Sequence, residues 1–388
     1  MALISKAEDI IPPPGASTDG GFPGSPPPSG QPINPGPPVA GSDTGLPPAA
    51  GPVSPESPPG VATPGPNPGG AGPSAGQAGD MMGFGDMGGG MGALGGGEFP
   101  GDSIRYGVLW FPSVPVRGQA TQFDTVEQDL SLSHPLWTDP VNYLGLSGGI
   151  RNQLIQTAAI LPETGQPIPS DLWCIHLGLQ YARHLDNGWL AGGGVSVESA
   201  SDHPFADLHE MNVGLNAMVR IPEYEHDAWM LGLAYSPTGE LNFPIPIVAY
   251  SWNPSPEFHA NIGLPLMVIW RPNEDWQFQA SYMLIHTIHV KLRYRLMQGL
   301  SAFAAYDWSN QAYTLLDRPE ENDRFFLYDQ RVSLGVQISL WRTWTASLSA
   351  GYAFDRYMFE GTSFSASGSN RVDLGNGPFA ALNLGVRF

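Results

Sequence analysis

The chain has 388 residues and a formal net charge of −19, from 17 Lys or Arg against 36 Asp or Glu. Such an acidic chain is a poor ligand for nucleic acid, whose phosphates attract basic surfaces. Its single cysteine, Cys174, excludes an internal disulfide framework and a cysteine-based metal site.

Residues 1–102 are rich in proline, glycine and methionine, with runs such as Pro26-Pro27-Pro28 and Gly88-Gly89-Gly90-Met91. This composition cannot bury an apolar core, so we predict a disordered linker. The first residues contain one lysine and an apolar stretch too short for a secretory signal peptide. Every tryptophan and every arginine lies after residue 102. We therefore predict one folded domain over residues 103–388.

Apolar and polar residues alternate with period two over most of residues 103–388, as they do in β-strands. Clear examples cover residues 211–219, 332–340 and 344–358. Several alternating segments exceed the usual strand length of about 5–6 residues and reach the roughly 9–11 residues that a membrane-crossing strand needs. Because an open sheet edge in lipid leaves backbone groups unpaired, strands cross a membrane only as closed barrels. The predicted fold is an all-β, closed, antiparallel transmembrane β-barrel.

The strand count depends on two assignments. Residues 104–112 form the first strand, and Pro265 reverses the chain between strands over 258–264 and 266–271. The count is then about sixteen, with about twelve as a lower bound, and single-chain bacterial barrels have even strand numbers. In this arrangement one end of the barrel has short turns. The other end has most of the long loops, near 113–122, 154–171, 199–208, 237–244, 315–325 and 359–377.

Most of the tryptophans flank or lie in the predicted short turns. A ring of aromatic residues at one membrane interface is typical of membrane barrels, and we predict such an aromatic belt here. The alternative is that tryptophan is simply common at strand ends. The belt candidates are Trp137, Trp189, Trp229, Trp252, Trp270, Trp276, Trp341 and Trp344.

The predicted twelfth strand has a row of basic residues on one face, formed by His289, Lys291, Arg293 and Arg295. An Arg or Lys on the lipid face costs about 2–4 kcal/mol at the membrane midplane, so we predict that the row faces the lumen. Two alternatives stay open. The row lines a pore that is narrowed to small solutes, or it packs against lumen acids and fills the barrel. The predicted acids are Asp307, Asp329 and Asp355.

The last strand alternates back from the C-terminus, with Phe388, Val386, Leu384 and Leu382 on one face. This pattern resembles the C-terminal assembly signal of bacterial outer-membrane β-barrel proteins, which the barrel-assembly machinery reads. As an architecture, residues 103–388 resemble an uncharacterised porin-like family, a domain of unknown function. The resemblance implies the outer membrane of a Gram-negative-type bacterium, with its lipid and the assembly machinery as partners. The linker would then cross the periplasm, with the cell wall as a further candidate partner.

The other motifs in the sequence give little evidence for a metal-binding or catalytic site. His203, Asp207, His209 and Glu210 are possible metal ligands by residue type, but their spacing matches no metal site. The acidic loop over residues 317–324 either binds divalent cations or is a plain solvated loop. No Gly-x-Ser-x-Gly or His-Glu-x-x-His motif is present, and we expect neither a cofactor nor an enzyme.

Three functions stay open at this point. The first is a passive channel for small solutes. The second is a barrel closed by its own side chains, which serves as a membrane anchor or surface scaffold. The third is a soluble β-sandwich binding protein, which does not account for the strand lengths or the terminal phenylalanine.

Overall fold

The computed structural model describes residues 102–207, 210–224, 226–235, 243–283, 287–316, 318, 323–340, 343–368 and 370–388. The predicted disordered linker falls outside these residues, except for residue 102. In the described part of the chain, no helix is long and apolar enough to cross a membrane.

The described residues are nearly all β-strand, apart from a short 3-10 helix at Phe364–Ala366. The strands are β1 (Ser103–Pro115), β2 (Gln122–Thr138), β3 (Asn142–Thr157), β4 (Asp171–His184), β5 (Leu190–Ser201), β6 (Met211–Pro222), β7 (Ala228–Tyr235), β8 (Ile245–Ser255), β9 (Phe258–Gly263), β10 (Leu266–Trp270), β11 (Trp276–Met283), β12 (Thr287–Met297), β13 (Leu300–Thr314), β14 (Arg324–Leu340), β15 (Trp344–Gly361), β16 (Arg371–Asp373) and β17 (Gly377–Arg387).

Each strand pairs antiparallel with the next, and β17 returns to pair with β1 from Ser103 opposite Arg387 to Trp110 opposite Ala380. The three-residue strand β16 pairs only with β15 and stands outside the ring. The ring therefore has sixteen strands among the described residues, which confirms the predicted all-β, closed, antiparallel barrel. The reversal at Pro265 is also confirmed, since Met267 of β10 pairs with Asn261 of β9.

The two ends of the barrel differ. β1 begins and β17 ends at the same end, which also has the brief connections before β3, β5, β9, β13 and β15. We call it the short-turn end. The long connections, including those between β3 and β4 and between β15 and β17, lie at the other end, the loop end. Positive φ angles at Gly188 (81°) and Gly299 (79°) fit two of the tight turns.

The barrel wall varies in height. β13, β14 and β15 have 15, 17 and 18 residues, and β2 and β3 have 17 and 16. In contrast β7, β9, β10 and β11 have 8, 6, 5 and 8 residues. We call β13–β17 together with β1–β5 the tall wall and β7–β12 the low wall. The tall wall extends further toward the loop end.

The loop end of the tall wall closes on itself. Thr314 of β13 forms a parallel bridge with Ser201 of β5, and the Leu316 N–H donates to Asp202 Oδ1 over 2.9 Å. The space that these strands enclose holds a buried apolar cluster, which we call the plug. Its members are Val114, Val116, Phe123, Ile155, Ala159, Leu161, Ile168, Leu172, Cys174, Ala200, Tyr313, Leu315, Phe325, Met358, Val372 and Leu374.

The outer face of the barrel is apolar between its two ends. Side chains such as Leu334 (71% exposed), Leu348 (59%) and Leu177 (58%) alternate with residues that point into the barrel. A water-soluble protein rarely exposes an apolar surface this continuous. The exposed band therefore has the character of a lipid-facing surface.

Candidate functional site

The predicted basic row lies on β12, and its side chains point into the lumen. They alternate with the outward residues Leu292, Tyr294 and Leu296, which are 40%, 38% and 51% exposed. The cross-strand neighbours of β12 are β11 and β13, both in the barrel wall. The row thus runs down the inner surface of the low wall toward the short-turn end. It consists of His289, Lys291, Arg293 and Arg295.

The member nearest the loop end is buried and held by an acid. Nδ1 of His289 contacts Oδ1 of Asp307, its direct cross-strand partner on β13. Asp307 pairs on its other side with Arg331 of β14. The predicted neighbour Asp307 is therefore in the lumen wall and is part of a charged chain across three strands.

The lower members of the row reach the mouth of the barrel. Lys291 Nζ lies 4.5 Å from the centroid of the Phe303 ring, and Arg293 donates to the side-chain oxygen of Gln277. Nε of Arg295 lies 3.3 Å from Oδ1 of Asp275, and the Arg295 side chain is 41% exposed. Cationic side chains therefore continue from the middle of the lumen to the water at the short-turn end.

The other two predicted acids lie in different places. Asp329 points inward and lies 3.3 Å from Nε of Arg331. Asp355 does not face the lumen, which corrects the expectation from alternation. The register between β14 and β15 shifts between Tyr328 and Gln330, and Asp355 has a φ angle of 49°. The carboxylate of Asp355 accepts a hydrogen bond from Gln330, whose side chain lies on the outer face. This bulge adds one residue to β15 and so turns Asp355 outward.

Polar side chains cross the lumen of the tall wall below the plug. Gln311 Nε2 of β13 donates to Glu127 Oε2 of β2 over 3.4 Å, although these strands are not neighbours. Arg151 Nε lies 3.5 Å from the other oxygen of Glu127. We call this set the charged layer. It comprises Glu127, Arg151, Asp307, Gln311, Asp329, Arg331 and Arg356.

Arg356 was not among the sequence candidates, because simple alternation places it on the outer face. The bulge reverses this, and the side chain is buried with its guanidinium carbon 4.2 Å from the ring centroid of Phe111. Glu127 and Arg151 were missed for another reason. Each alternates normally on its strand, but only the barrel brings β2 and β3 opposite β13 and β14.

The lumen below the charged layer is lined by small and polar side chains and, toward the short-turn end of β3–β8, by a second buried apolar cluster of Tyr143, Ala182, Leu190, Met218, Met230 and Ala249. The small and polar side chains belong to residues that alternate with the exposed apolar residues of the outer face. This region is the lower lumen. Among the described residues, its lining includes Ser131, Ser133, Ser147, Gly149, Gln180, Gly194, Ser196, Asn216, Ser251, Gln277, Ser301, Gln337, Ser347 and Asn383.

An ion pair joins the loops above the plug. Nε of Arg318 lies 3.3 Å from Oε1 of Glu360, with side chains 8% and 4% exposed. Arg318 also donates to the carbonyl of Pro167 over 2.9 Å. Asn370 donates to Glu360, and its own amide oxygen accepts the N–H of Glu163. Burial raises the pKa of Glu360, and the Arg318 guanidinium opposes part of this rise. Three loops are thus tied together at the loop end.

The tryptophans of the predicted belt lie outward at the short-turn end. Their exposed fractions are 50% for Trp137, 38% for Trp189, 42% for Trp229 and Trp252, 48% for Trp270 and Trp344, and 39% for Trp276. Trp341 falls outside the described residues. The others form a ring around one rim of the apolar band.

The predicted assembly signal occupies the outer face of β17. Leu382, Leu384 and Phe388 are 40%, 38% and 76% exposed. Val386 is 9% exposed, because it lies between its cross-strand partners Ile104 and Trp344. The Phe388 N–H donates to the carbonyl of Asp102 over 3.3 Å, so the last residue stays on the sheet.

No cluster that could hold a metal ion occurs among the described residues. His203, Asp207 and Glu210 belong to the connection between β5 and β6, while His209 falls outside the described residues. Most of the acidic loop over residues 317–324 also falls outside them.

No family model matches the chain, and no curated protein matches it. Among solved structures, it is similar to an outer-membrane channel from Pseudomonas putida F1, with 13% identity, 74% of this chain and 96% of that chain covered, and a TM-score of 0.30. It is also similar to the β-domain of the Bordetella autotransporter BrkA (10% identity, 74% and 99% covered, TM-score 0.29). A third similar structure is the Pseudomonas putida toluene transporter TodX (10% identity, 74% and 90% covered, TM-score 0.33). At these values the likenesses carry no argument about activity, which has to come from the barrel's own side chains.

Proposed function

We propose that the protein is an outer-membrane β-barrel that acts as a passive channel for small solutes, with a preference for anions. The observation that carries the proposal is the lower lumen, where hydroxyl, amide and glycine residues line the wall beside the apolar cluster around Tyr143 and Met218, and a basic row descends to the mouth. A polar, small-residue lining is what a water-filled barrel requires. The apolar outer face supports the membrane location, and the short strands of the low wall support the path of the solute.

The membrane location rests on the outer face. An apolar band rimmed by tryptophans matches the girdled band of outer-membrane barrels. Both ends of the barrel sequence, Ser103 and Arg387, lie at the short-turn end. Since outer-membrane barrels have short turns on the periplasmic side, we propose that the short-turn end faces the periplasm and that the linker belongs to that side.

The charge of the lumen supports the preference for anions. Arg105 of β1 and Arg220 of β6 face the lower lumen together with Lys291 and Arg293. The carboxylates of the charged layer lie above this region, and arginines of that layer lie beside them. Rings or rows of basic residues favour anions in pores, and here they act in a chain whose net charge is −19.

The route to the loop end runs beside the plug. The plug and the charged layer fill the enclosed part of the tall wall, so a solute cannot pass along it. The low wall ends sooner, and the lumen beside β7–β12 lies outside the bridge between β5 and β13. We therefore place the path along the inner face of the low wall, past the basic row.

Conductance of the purified full chain in planar bilayers tests the proposal. Ion-selective conductance is expected, with a reversal potential in a KCl gradient that indicates chloride preference. The double variant Lys291→Gln/Arg293→Gln should lose most of this preference. Arg117→Gln, at an exposed loop arginine, removes a charge outside the lumen and should leave the preference unchanged. Folded protein with no conductance would rule out the channel and leave the barrel.

A filled barrel that anchors the linker is the second candidate. It is favoured by one observation, the plug that seals the enclosed part of the tall wall. In that case the linker would be the functional part, and the cell wall would be its partner. Cross-linking of the linker to cell-wall material, together with absent conductance, would favour this candidate over the channel.

A further inference from the structure

Three chemically distinct side chains lie on one rung of the barrel wall. Ser281 of β11 is the direct cross-strand partner of His289 of β12, and His289 is the partner of Asp307 of β13. All three point into the lumen. Directly opposed residues of antiparallel strands have Cβ atoms about 4.5–5.5 Å apart. The rung therefore aligns a hydroxyl, an imidazole and a carboxylate in that order.

The imidazole has the orientation of a general base. Its Nδ1 contacts Oδ1 of Asp307, so a hydrogen on Nδ1 is donated to the carboxylate and the lone pair is left on Nε2. Arg331 is the cross-strand partner of Asp307 on its other side. A carboxylate that orients a histidine in this way is the third member of nucleophile–base–acid sites on many folds.

Two atoms of the rung are buried without a hydrogen-bond partner among the described residues. They are Oγ of Ser281 and Nε2 of His289, and the two residues are each 5% exposed. A third such atom, Oδ1 of Asn261, lies on the same rung, with Met267 of β10 between Asn261 and Ser281. Buried polar atoms are normally satisfied, so this group points to a ligand with a polar centre.

The wall directly above this rung has a gap. Pairing of β8 with β9 ends at Ala249 and Gly263, and pairing of β10 with β11 ends at Leu266 and Tyr282. Toward the loop end, residues 245–247 of β8 have β7 on one side and no strand on the other among the described residues. Among the described residues, the wall between β8 and β11 therefore has no strand above the β9–β10 hairpin.

The edge of β8 that borders the gap has a residue suited to an unpaired strand edge. Val248 O accepts the N–H of Leu264, so the polar groups of Val248 point toward β9. Two residues on, position 246 points the same way into the gap, and it is a proline without an N–H to leave unpaired. Proline is a common device for protecting exposed sheet edges.

The surroundings of the gap are apolar outside and mixed inside. Val248 and Ile262 are each 51% exposed on the outer face, next to Leu233 at 48%. On the inner side lies Met267, whereas Lys291 and Arg293 continue the lumen wall below His289. The gap thus has an apolar outer border, and the lumen wall below it is cationic.

We propose that Ser281 and His289 are catalytic residues, and Asp307 a positioning residue, of a site that hydrolyses carboxylic esters of anionic acyl lipids. The acyl chain enters through the gap above the β9–β10 hairpin, and the head group faces Lys291 and Arg293. This site requires the membrane location proposed above but not conduction.

The hydrolysis has two half-reactions, and water is the second substrate. Ser281 Oγ attacks the ester carbonyl carbon while its proton passes to Nε2 of His289. The carbon–oxygen bond to the alcohol breaks, and His289 returns the proton to the leaving oxygen. Water then attacks the acyl-serine, gives a proton to His289, and the fatty acid leaves as the proton returns to Ser281. Gln279 lies two residues from Ser281 on the same face of β11, and Asn261 lies on the rung of Ser281 beyond Met267. Side-chain amides are of the type that stabilises an oxyanion.

The test uses the full chain in mixed detergent–phospholipid micelles, with p-nitrophenyl dodecanoate and a fluorophosphonate as probes. The fluorophosphonate is expected to label Ser281, identified by mass spectrometry of the labelled peptide. Ser281→Ala should abolish the label and lower ester hydrolysis by roughly 10³-fold or more, as in other serine hydrolases. Ser349→Ala is the matched control, since Ser349 is also inward and buried at 9% exposure, and it should keep both activities.

The role of Asp307 has its own readout. Asp307→Asn should lower kcat with little change in KM, because the histidine loses its orientation while the lipid is still bound. Asp307→Glu should restore part of kcat, which a merely structural role would not predict. Heat-modifiable migration on gels checks that each variant is folded. Absence of label at Ser281 in folded protein, or label that persists in Ser281→Ala, overturns the proposal. Label without conductance would refute the channel alone.

Discussion

Thr314 at the end of β13 pairs in parallel with Ser201 at the end of β5, although β6–β12 lie between these strands on one side of the barrel. The bridge divides the loop end into two parts. On one side the tall wall encloses the plug. On the other side the lumen adjoins the low wall and its gap. A barrel with uniform walls would have one axial opening, whereas the proposed path in this barrel runs along the low wall.

Removal of one partner from the ion pair over the plug is expected to be strongly destabilising. Arg318 and Glu360 are 3.3 Å apart and nearly buried, and loss of one partner from such a pair costs about 3–5 kcal/mol. We expect Arg318→Ala to lower the free energy of unfolding in micelles by that amount, measured by tryptophan fluorescence in urea. The double variant Arg318→Met/Glu360→Met should lose less, because no unpaired charge stays buried.

The control for this prediction is an ion pair at the other end. Glu274 lies 3.5 Å from Arg295, but its side chain is 93% exposed. Glu274→Ala should therefore cost about 0–1 kcal/mol. Equal losses for Arg318→Ala and Glu274→Ala would show that the loops above the plug do not depend on the buried pair.

The same carboxyl group predicts a pH dependence. Burial raises the pKa of Glu360 above its ordinary value of 4.5, although Arg318 and Asn370 oppose the rise. A group with a raised pKa in the folded state adds stability that is complete below its unfolded pKa and is lost as the pH rises through its folded pKa. The melting temperature of the wild type, relative to Glu360→Gln, should thus be higher near pH 4 than near pH 7.5. Parallel curves for the two proteins would contradict this assignment.

Much of the fold could be predicted from the sequence, because alternation is a local signal. Most of the strands follow from which residues are apolar, whereas the count of sixteen and the reversal at Pro265 also depended on assigning short turns and long loops to opposite ends of the barrel. The bulge after Phe354 carries no comparable signal, since Asp355 and Arg356 fit simple alternation in either register. One inserted residue exchanged their faces, so the outward Asp355 and the buried Arg356 became clear only from the structure.

Contacts across the lumen could not be predicted from local sequence patterns either. Glu127 and Gln311 are 184 positions apart, and they meet only because the sheet closes. The alignment of Ser281 with His289 and Asp307 depends on strand register, which the sequence does not specify to the residue. His289 and Asp307 could be predicted as lumen neighbours, but nothing in the local pattern marked Ser281.

Substitution of the glycine at the tip of the β9–β10 hairpin is expected to destabilise the barrel. Gly263 has φ 145°, and a Cβ there would lie 2.1 Å from Val248 O and 2.6 Å from Ala249 Cα. These are backbone atoms that cannot move aside, so Gly263→Ala should shift the hairpin and cost about 1–3 kcal/mol in unfolding free energy. Gly368→Ala has nothing within 4 Å of the new Cβ and serves as the control. Equal stability of the two variants would argue against the hairpin geometry and the gap above it.

The C-terminal residue predicts an assembly defect without a stability defect. Phe388 is 76% exposed on the outer face, so its removal takes almost no apolar surface from a protein core. Leu384 and Leu382 remain paired with β1 and β15, which keeps the ring closed once it has formed. Deletion of Phe388 should thus reduce the heat-modifiable, membrane-inserted fraction in cells several-fold. Protein refolded in micelles should unfold at the wild-type urea concentration.

The substitution Phe388→Tyr separates recognition from bulk. It keeps an aromatic ring at the end of β17 and should assemble nearly as the wild type does, whereas Phe388→Ser should resemble the deletion. The sheet contact of this residue is a backbone hydrogen bond to Asp102, which both substitutions retain. A difference between them therefore reports on the side chain of residue 388 and not on its backbone hydrogen bond. Normal assembly of the deletion would mean that the exposed phenylalanine has no part in insertion, and would weaken the outer-membrane assignment itself.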